Sequence, residues 1–188
     1  GRALLLARER QAGERVLQIF PPEVEPSVST DIRVLYEDEA LLVVNKPAPL
    51  PMHPCGRFHR NTLQHFLNIA CAPFPPRPVH RLDANTTGIV LYARTRHFCR
   101  LLQRQFIEGT VEKRYLARVT GHPEKDMFFC DAPISGEPGA LGTHGVDEDA
   151  GQVARTDFRI IERWSDGTCL LEALLSTGRT NQIRIHLW

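Results

Sequence analysis

Hydrophobic and polar positions repeat with two different periods along this 188-residue chain. Two apolar runs, at 41–44 and 89–93, are short and continuous, which is typical of buried strands. The strongest turn signal is the Asp166-Gly167 pair, which predicts a hairpin. The predicted strands are 13–20, 32–40 with its acidic turn, 41–44, 89–93, 113–119, and a hairpin of 153–164 with 169–175.

Two segments show the period of an amphipathic helix. The first begins at a cap, Asn61 or Thr62, and the second extends from about Thr95 to Glu108 before Gly109. The second helix has a predicted apolar face of Phe98, Leu101, Leu102 and Phe106, and Arg96, Arg100 and Arg104 lie opposite. Thr180 is a candidate cap for a third helix.

These elements predict an α+β fold, with strands that are antiparallel where hairpins connect them. Residues 1–30 contain one predicted strand and a proline-rich linker. We interpret them as an appendage to a main domain at 31–188. We also expect the chain to begin inside a longer protein.

The composition is that of a soluble globular protein, with 42% hydrophobic and 24% charged residues. No apolar run reaches the length of about 18 residues that a membrane-spanning helix needs. Five cysteines without a Cys-x-x-Cys pair favour a reducing, cytoplasmic compartment. The net charge of +1 does not indicate a nucleic-acid binder, but the basic residues between 94 and 118 predict a local basic surface or a solvated helix face.

The most informative stretch is His80-Arg81-Leu82-Asp83-Ala84-Asn85-Thr86-Thr87-Gly88, directly before the apolar run at 89–93. Asp83 alone would favour a cap or a turn. The whole stretch resembles the catalytic motif of the RluA-type pseudouridine synthases, which is His-Arg-Leu-Asp, two variable residues and Thr-Ser-Gly. Thr87 replaces the serine of that motif and keeps its hydroxyl.

Three further segments resemble motifs of that family in the same order: 45–54, 112–117 and 177–187. The chain departs from the family pattern at Pro49, Met52 and Asn181, which replace Gly, Val and His. The resemblance covers about residue 31 to the end and implies a mixed, largely antiparallel bent sheet with flanking helices and a cleft across its middle. It also implies that 1–30 is the remnant of an N-terminal RNA-binding domain and that a C-terminal part is missing.

The resemblance implies an isomerase that converts specific uridines of structured ribosomal or transfer RNA to pseudouridine, without cofactor or metal. Asp83 would be the nucleophile, because a carboxylate can attack the ribose and later leave. Attack on the anomeric carbon and removal of a ribose proton both stay open as routes. An ionised carboxylate in a dry cleft needs a fixed cation, which by resemblance is Arg184, with Arg179 and Arg81 as alternatives.

Tyr115 lies where the family has a tyrosine that stacks on the target base, although a tyrosine in an apolar strand is more often a core residue. The predicted catalytic residues are therefore Asp83, Tyr115 and Arg184. The predicted RNA-binding residues are Arg81, Arg179, Asn181, Lys113, Arg96, Arg100 and Arg104. We expect a monomer whose affinity for RNA falls with salt.

Three other interpretations need comparison with this one. The main alternative is a catalytically inactive RNA-binding module of the same fold. A weaker alternative is a carboxylate-dependent hydrolase. No second acid lies close to Asp83 in sequence, which weakens the hydrolase. His53, Cys55, His59 and His65 are neighbours, but their spacing matches no standard zinc site.

Overall fold

The computed structural model describes residues 24–139 and 143–188, and within them the chain forms eight strands and three helices. In chain order these are β1 (Arg33–Glu37), β2 (Leu41–Lys46), α1 (Leu63–Ala70), β3 (Arg77–Pro78), β4 (Gly88–Ala93), α2 (Arg96–Ile107), β5 (Lys113–Thr120), β6 (Met127–Cys130), β7 (Thr156–Arg163), β8 (Thr168–Leu175) and α3 (Gln182–His186). The prediction of an α+β fold is confirmed. The predicted strand at 13–20 lies outside the described residues.

The first sheet has the strand order β1-β2-β4-β3, and each neighbouring pair is antiparallel. Side chains of β2 alternate, so that Leu42, Val44 and Lys46 are fully or almost fully buried. Leu42 and Val44 pack in one cluster with Leu63 and Leu67 of α1. The helix therefore covers the face of the sheet on which this alternation buries its apolar residues.

The second sheet has the order β5-β8-β7-β6 and is also antiparallel. Its centre is the predicted hairpin, in which a carboxylate oxygen of Asp166 accepts a hydrogen bond from the Thr168 amide at 3.0 Å. Gly167 has a φ of +81°, which glycine adopts without the steric cost that other residues meet. The predicted sheet is thus divided in two, and β6 is a four-residue strand within the segment 121–151, whose Gly, Pro and acidic residues predict a long loop with short strand pieces.

Both long helices begin at the predicted caps. The hydroxyls of Thr62 and Thr95 accept hydrogen bonds from the amides of His65 and Phe98, each at 3.3 Å. One assignment within α2 was wrong: Leu101 is 49% exposed, and Cys99 is the buried residue of the helix instead.

The cap of the third helix is Asn181, one residue after the predicted cap Thr180, and the helix itself begins at Gln182. Asn181 has left-handed backbone angles (φ 57°, ψ 21°), and its side chain does not cap the helix. Asparagine is one of the few residues other than glycine that adopts this conformation readily. Asn181 therefore suits this position by its backbone conformation and not by its side chain. A sequence pattern of capping side chains does not reveal such a position.

Residues 24–30 lie against the main domain. The carboxylate of Glu25 accepts hydrogen bonds from the backbone amides of His59, Arg60 and Asn61 at 2.7–3.0 Å. Val28 packs against the core of the first sheet. The described end of the predicted linker is therefore fixed to the domain, and the division at residue 31 stays a prediction.

Candidate active site

A cleft of about 1320 Å³ separates the two sheets. Its walls are the segment 79–86, the C-terminal end of α2, strand β5 and the segment 175–184. Small-molecule sites usually measure roughly 300–1,000 Å³, so this cleft is wide enough for part of a polymer. Three of the four family motifs, those at 80–88, 112–117 and 177–187, contribute residues to its lining, and the motif at 45–54 does not.

Asp83 is half-buried in the cleft wall, in a segment that is fixed on both sides. The preceding Leu82 is only 7% exposed and belongs to the core of the first sheet. The following Ala84 carbonyl accepts hydrogen bonds from the Leu50 amide at 2.9 Å and from Nζ of Lys46 at 3.1 Å. A turn from the Asp83 carbonyl to the Thr86 amide closes the loop. The backbone therefore holds the carboxylate in place.

Lys46 was not among the predicted site residues, yet it supports the Asp83 loop from below. It is fully buried, and its Nζ also donates to the carbonyls of Pro47 at 3.0 Å and Leu50 at 2.8 Å. Burial lowers the pKa of Lys46 to about 8, and the negative charge of Asp83 partly opposes that shift. Alternation in β2 places position 46 on the same face as Leu42 and Val44, and this signal could have identified it.

His80 fixes the start of the same loop. Its Nε2 accepts a hydrogen bond from the Leu91 amide at 3.1 Å, and its ring stacks on Phe106 of α2 with centroids 4.7 Å apart. Burial lowers the pKa of His80, which a hydrogen bond to the Arg81 backbone partly offsets. A neutral ring suits this acceptor role, because a protonated one has no free lone pair.

Charge in the cleft is distributed unevenly. Asp83 is the one carboxylate among the described residues that line it. The cations in the lining are Arg81, Lys113, Arg118, Arg179 and Arg184. Arg118 is paired with Asp166 at 2.7 Å, whereas Arg81 and Arg184 form no ion pair with any described residue. A near-neutral chain thus presents a strongly basic cleft around one acid.

Arg184 and Asp83 line the same cleft, but the expected ion pair between them is not formed in this structure. Among the described residues no cation lies within 4.0 Å of the Asp83 carboxylate. Arg184 lies on α3 with an exposed side chain that no described acid holds. Its pairing with Asp83 stays a prediction.

Tyr115 lies on β5 and faces the cleft between the two sheets. It packs against the core of the first sheet and against that of the second. Burial, with a smaller effect of the Asp83 charge, raises the pKa of its hydroxyl. The hydroxyl is therefore protonated at neutral pH and can donate a hydrogen bond.

Gln182 organises the segment that carries Arg179 and Arg184, and sequence reasoning missed it. Its side chain is almost fully buried, and its Oε1 accepts from the Thr177 hydroxyl at 2.7 Å and the Arg179 amide at 2.9 Å. Its Nε2 donates to the Arg155 carbonyl at 3.0 Å and the Thr156 hydroxyl at 2.9 Å. The two Oε1 bonds hold the segment 177–182 together, and the two Nε2 bonds join it to the start of β7 and the residue before it. No local sequence pattern predicts such a contact between distant residues.

Two other predicted RNA contacts lie along the same wall. Nζ of Lys113 donates to the Thr177 carbonyl at 3.1 Å, and burial lowers the pKa of this lysine with a further contribution from Arg179. Asn181 lines the cleft at the start of α3. Lys113, Asn181 and Arg179 therefore line the same cleft as Asp83, and their contacts with RNA stay predictions.

The three arginines of α2 are not part of this cleft. Arg96 and Arg100 line a separate groove nearer the N-terminal end of the helix, and Arg104 forms an ion pair with Glu108 at 2.6 Å. The described residues contain no group of three or more potential ligands that could hold a metal ion. Nor does any described helix have the length and apolar character needed to cross a membrane.

Comparison with known proteins agrees with the geometry. Ribosomal large subunit pseudouridine synthase D of Nitrosomonas europaea is 41% identical over 160 residues, which are 83% of this chain and 46% of that protein. Ribosomal large subunit pseudouridine synthase C of Vibrio cholerae is 34% identical over 169 residues, 88% of this chain and 52% of that protein. The chain thus spans about half the length of these curated relatives.

A solved structure shares the fold. Human RNA Pseudouridylate Synthase Domain Containing 1 has a TM-score of 0.70 and 26% identity, over 87% of this chain and 66% of that one. The family described as RNA pseudouridylate synthase matches residues 40–188. The match includes every segment that lines the cleft, together with the buried lysine below the Asp83 loop. The chain therefore belongs to the RNA pseudouridylate synthase family.

Proposed function

We propose that this protein converts uridine in RNA to pseudouridine, with Asp83 as the nucleophile. The observation that supports this most directly is the isolation of one fixed carboxylate within a cationic cleft. The cations suit the phosphates of RNA, which supply much of the affinity in protein–nucleic acid complexes. A hydrolase that uses paired carboxylates is disfavoured, because the described lining offers no second acid.

The reaction needs no atom beyond those of the uridine. The Asp83 carboxylate either attacks the anomeric carbon or removes a ribose proton, and the bond from that carbon to uracil N1 breaks with its electrons going to the base. The base turns within the cleft, and its carbon 5 forms the new bond to the anomeric carbon as the carboxylate leaves that carbon or, on the other route, as the carboxylic acid returns the proton to the ribose. Carbon 5 then loses its proton, and N1 gains one.

Tyr115 and the cations have separate roles in this proposal. A uridine that leaves its helix loses stacking energy, and the Tyr115 ring can offset about 1–3 kcal/mol of it. Its protonated hydroxyl can hydrogen-bond to the base, and Arg184 supplies positive charge to Asp83 once RNA orders its side chain. Arg81, Arg179, Asn181 and Lys113 hold the flanking phosphates and sugars.

We further propose that the substrate is ribosomal RNA rather than transfer RNA. Two relatives carry the large ribosomal subunit in their names, which favours it. We expect a monomer that acts in the cytoplasm, where the five cysteines, all free in the structure, stay reduced.

Tritium release from RNA labelled at carbon 5 of uridine tests the function. We expect release by the parent chain on unmodified ribosomal RNA transcripts and a loss on the order of a thousandfold or more in Asp83→Asn. Asp149→Asn is the matched control, since Asp149 is exposed and lies outside the cleft. Binding of the transcript by Asp83→Asn at parental affinity would locate the defect in chemistry.

The inactive RNA-binding module predicts a different result. In that case the parent chain binds RNA but releases no tritium, and Asp83→Asn behaves like the parent in both measurements. Release on transfer RNA but not on ribosomal RNA would keep the enzyme and overturn the choice of substrate.

A further inference from the structure

A second groove, of about 460 Å³, lies toward the N-terminal end of α2 and shares Gln103 with the cleft. Three arginines line it: Arg77 from β3, with Arg96 and Arg100 from α2. No described acid lines the groove, and none of the three forms an ion pair with a described residue. Three exposed cations without compensation attract an anionic partner.

This concentration is specific to the groove rather than general to the helix. Arg96 and Arg100 stand one turn apart, about 6 Å along the axis, on the same side of α2. Arg104 continues the series by spacing, but its charge is neutralised by Glu108 and it does not line the groove. Arg77 comes from a different element, so the tertiary fold and not the helical repeat brings the three together.

An exposed aromatic side chain stands next to the groove-lining residues in sequence. Phe74 is 77% exposed and immediately precedes the groove-lining residues Pro75 and Pro76. An aromatic ring beside a basic groove is the arrangement with which proteins bind single-stranded nucleic acid, because phosphates meet the cations and bases meet the ring.

The groove adjoins the cleft along one face of α2. Gln103 lines both, and its Nε2 donates to the Pro78 carbonyl in the groove wall at 3.3 Å. A strand that leaves the cleft over Gln103 would therefore reach Arg100 first, with Arg96 one turn farther along α2.

We propose that this groove, lined by Arg77, Arg96 and Arg100, binds the single-stranded segment of the substrate RNA that flanks the target uridine, and that the neighbouring exposed ring of Phe74 stacks on one of its bases. This inference rests on the proposal that the substrate is RNA. Of the three α2 arginines predicted to bind RNA, Arg96, Arg100 and Arg104, the proposal keeps the first two. It adds Arg77 and Phe74, which the sequence did not indicate.

Equilibrium binding of labelled polyuridylate tests the groove without requiring turnover. We expect Arg77→Gln, Arg96→Gln and Arg100→Gln each to weaken binding of a long strand by roughly three- to tenfold at low salt, and to lower the slope of log affinity against log salt by about 0.7 per lost phosphate contact. Phe74→Ser should weaken binding at least about fivefold and leave that slope unchanged, because stacking releases no counterion. Affinity for a uridine trinucleotide, which fills only the cleft, should not change in any of them.

Two matched controls lie on the second sheet, outside both the cleft and the groove. Arg163→Gln removes an arginine paired with Asp126, and Phe129→Ser removes an exposed aromatic ring. Both should bind the long strand like the parent. Thermal unfolding of each variant checks that these exposed substitutions leave the fold intact.

Several outcomes would overturn the proposal. Parental affinity of the arginine variants for the long strand, equal weakening by Arg163→Gln, or no binding of polyuridylate by the parent would each do so. Larger weakening by Arg104→Gln than by Arg77→Gln would assign the contact to the exposed helix face instead. Tritium release by the parent chain is measured separately, so failure of the groove and failure of the enzymatic function give different results.

Discussion

A single buried lysine controls the position of the carboxylate on which the proposed chemistry depends. Lys46 donates to three carbonyls, one of which belongs to the residue after Asp83. We expect Lys46→Met to lower the free energy of unfolding at pH 7 by about 2–4 kcal/mol, because one buried carbonyl, that of Leu50, and two partly buried ones lose their donor. Tritium release should fall as well, since the loop would no longer hold Asp83. Urea unfolding and the release assay measure the two effects.

Lys125→Met is the control for that substitution, because Lys125 is exposed and such changes stay within about 0.5 kcal/mol. Parental stability and activity in Lys46→Met would show that the loop is held by the remaining contacts, of which the Leu50 amide to Ala84 carbonyl bond is the nearest.

The same lysine gives a dependence of stability on pH. Its pKa is about 8 in the folded protein and 10.5 without the fold. Between those values the unfolded chain binds more protons, so the contribution of Lys46 to the free energy of unfolding rises with pH. Below pH 8 the lysine is charged in both states, and the cost of burying the charge is fully present. The stability of the parent relative to Lys46→Met should therefore increase from pH 8 to 10.5, measured by urea unfolding. A constant difference across that interval would contradict the lowered pKa.

At the scale of elements, α3 and the segment before it form one unit that Gln182 joins to β7. Gln182→Leu keeps the approximate volume but removes all four hydrogen bonds, leaving the Arg179 amide and the Arg155 carbonyl without that partner. We expect a loss of about 2–4 kcal/mol in the free energy of unfolding. We also expect weaker RNA binding, because Arg179 and Arg184 would lose their fixed placement. Thermal unfolding and polyuridylate binding check both effects.

Gln105→Leu is the matched control, since Gln105 is exposed on α2 and lines neither cleft nor groove. If RNA affinity is unchanged in Gln182→Leu despite the loss of stability, then the placement of the two arginines does not depend on this unit.

Elements set by local chemistry were predictable, and those set by distant partners were not. Thr62, Thr95 and the Asp166-Gly167 turn each act through atoms a few residues away, so the sequence shows them directly. Strand β3 has two residues and exists only because Arg77 and Pro78 pair with the end of β4. The division of strands between two sheets likewise depends on which edges meet, and a local pattern contains no information about that.

For the whole molecule, the composition of the site was predictable mainly through the resemblance. The net charge of +1 gives no hint of the basic cleft, because most of the compensating acids lie elsewhere on the surface, as Glu112 and Asp126 do in their pairs with Arg114 and Arg163. Asp83, Tyr115 and Arg184 come from motifs far apart in sequence and line one cleft, and their catalytic roles stay predictions. The groove was missed, since helical spacing grouped Arg104 with its neighbours and could not bring in Arg77.

The two halves of the molecule meet at Tyr115. Among the described residues it is the one side chain that packs against the cores of both sheets, so it couples their stability as well as lining the cleft.

We expect Tyr115→Ala to unfold in two separable steps and Tyr115→Phe to unfold in one, because phenylalanine keeps the apolar contacts of the ring. Trp164 lies between β7 and β8 in the second half. Trp188 is already fully exposed in the folded chain, so the change in tryptophan fluorescence on unfolding reports mainly the second half. Far-ultraviolet circular dichroism reports both halves. In urea the two signals should coincide for the parent and for Tyr115→Phe and separate for Tyr115→Ala, since coincident transitions are a test of two-state unfolding. Coincidence in Tyr115→Ala would mean that other contacts couple the sheets. Separation would mean that the residue proposed to stack on the uridine also sets how the walls of the cleft are held together.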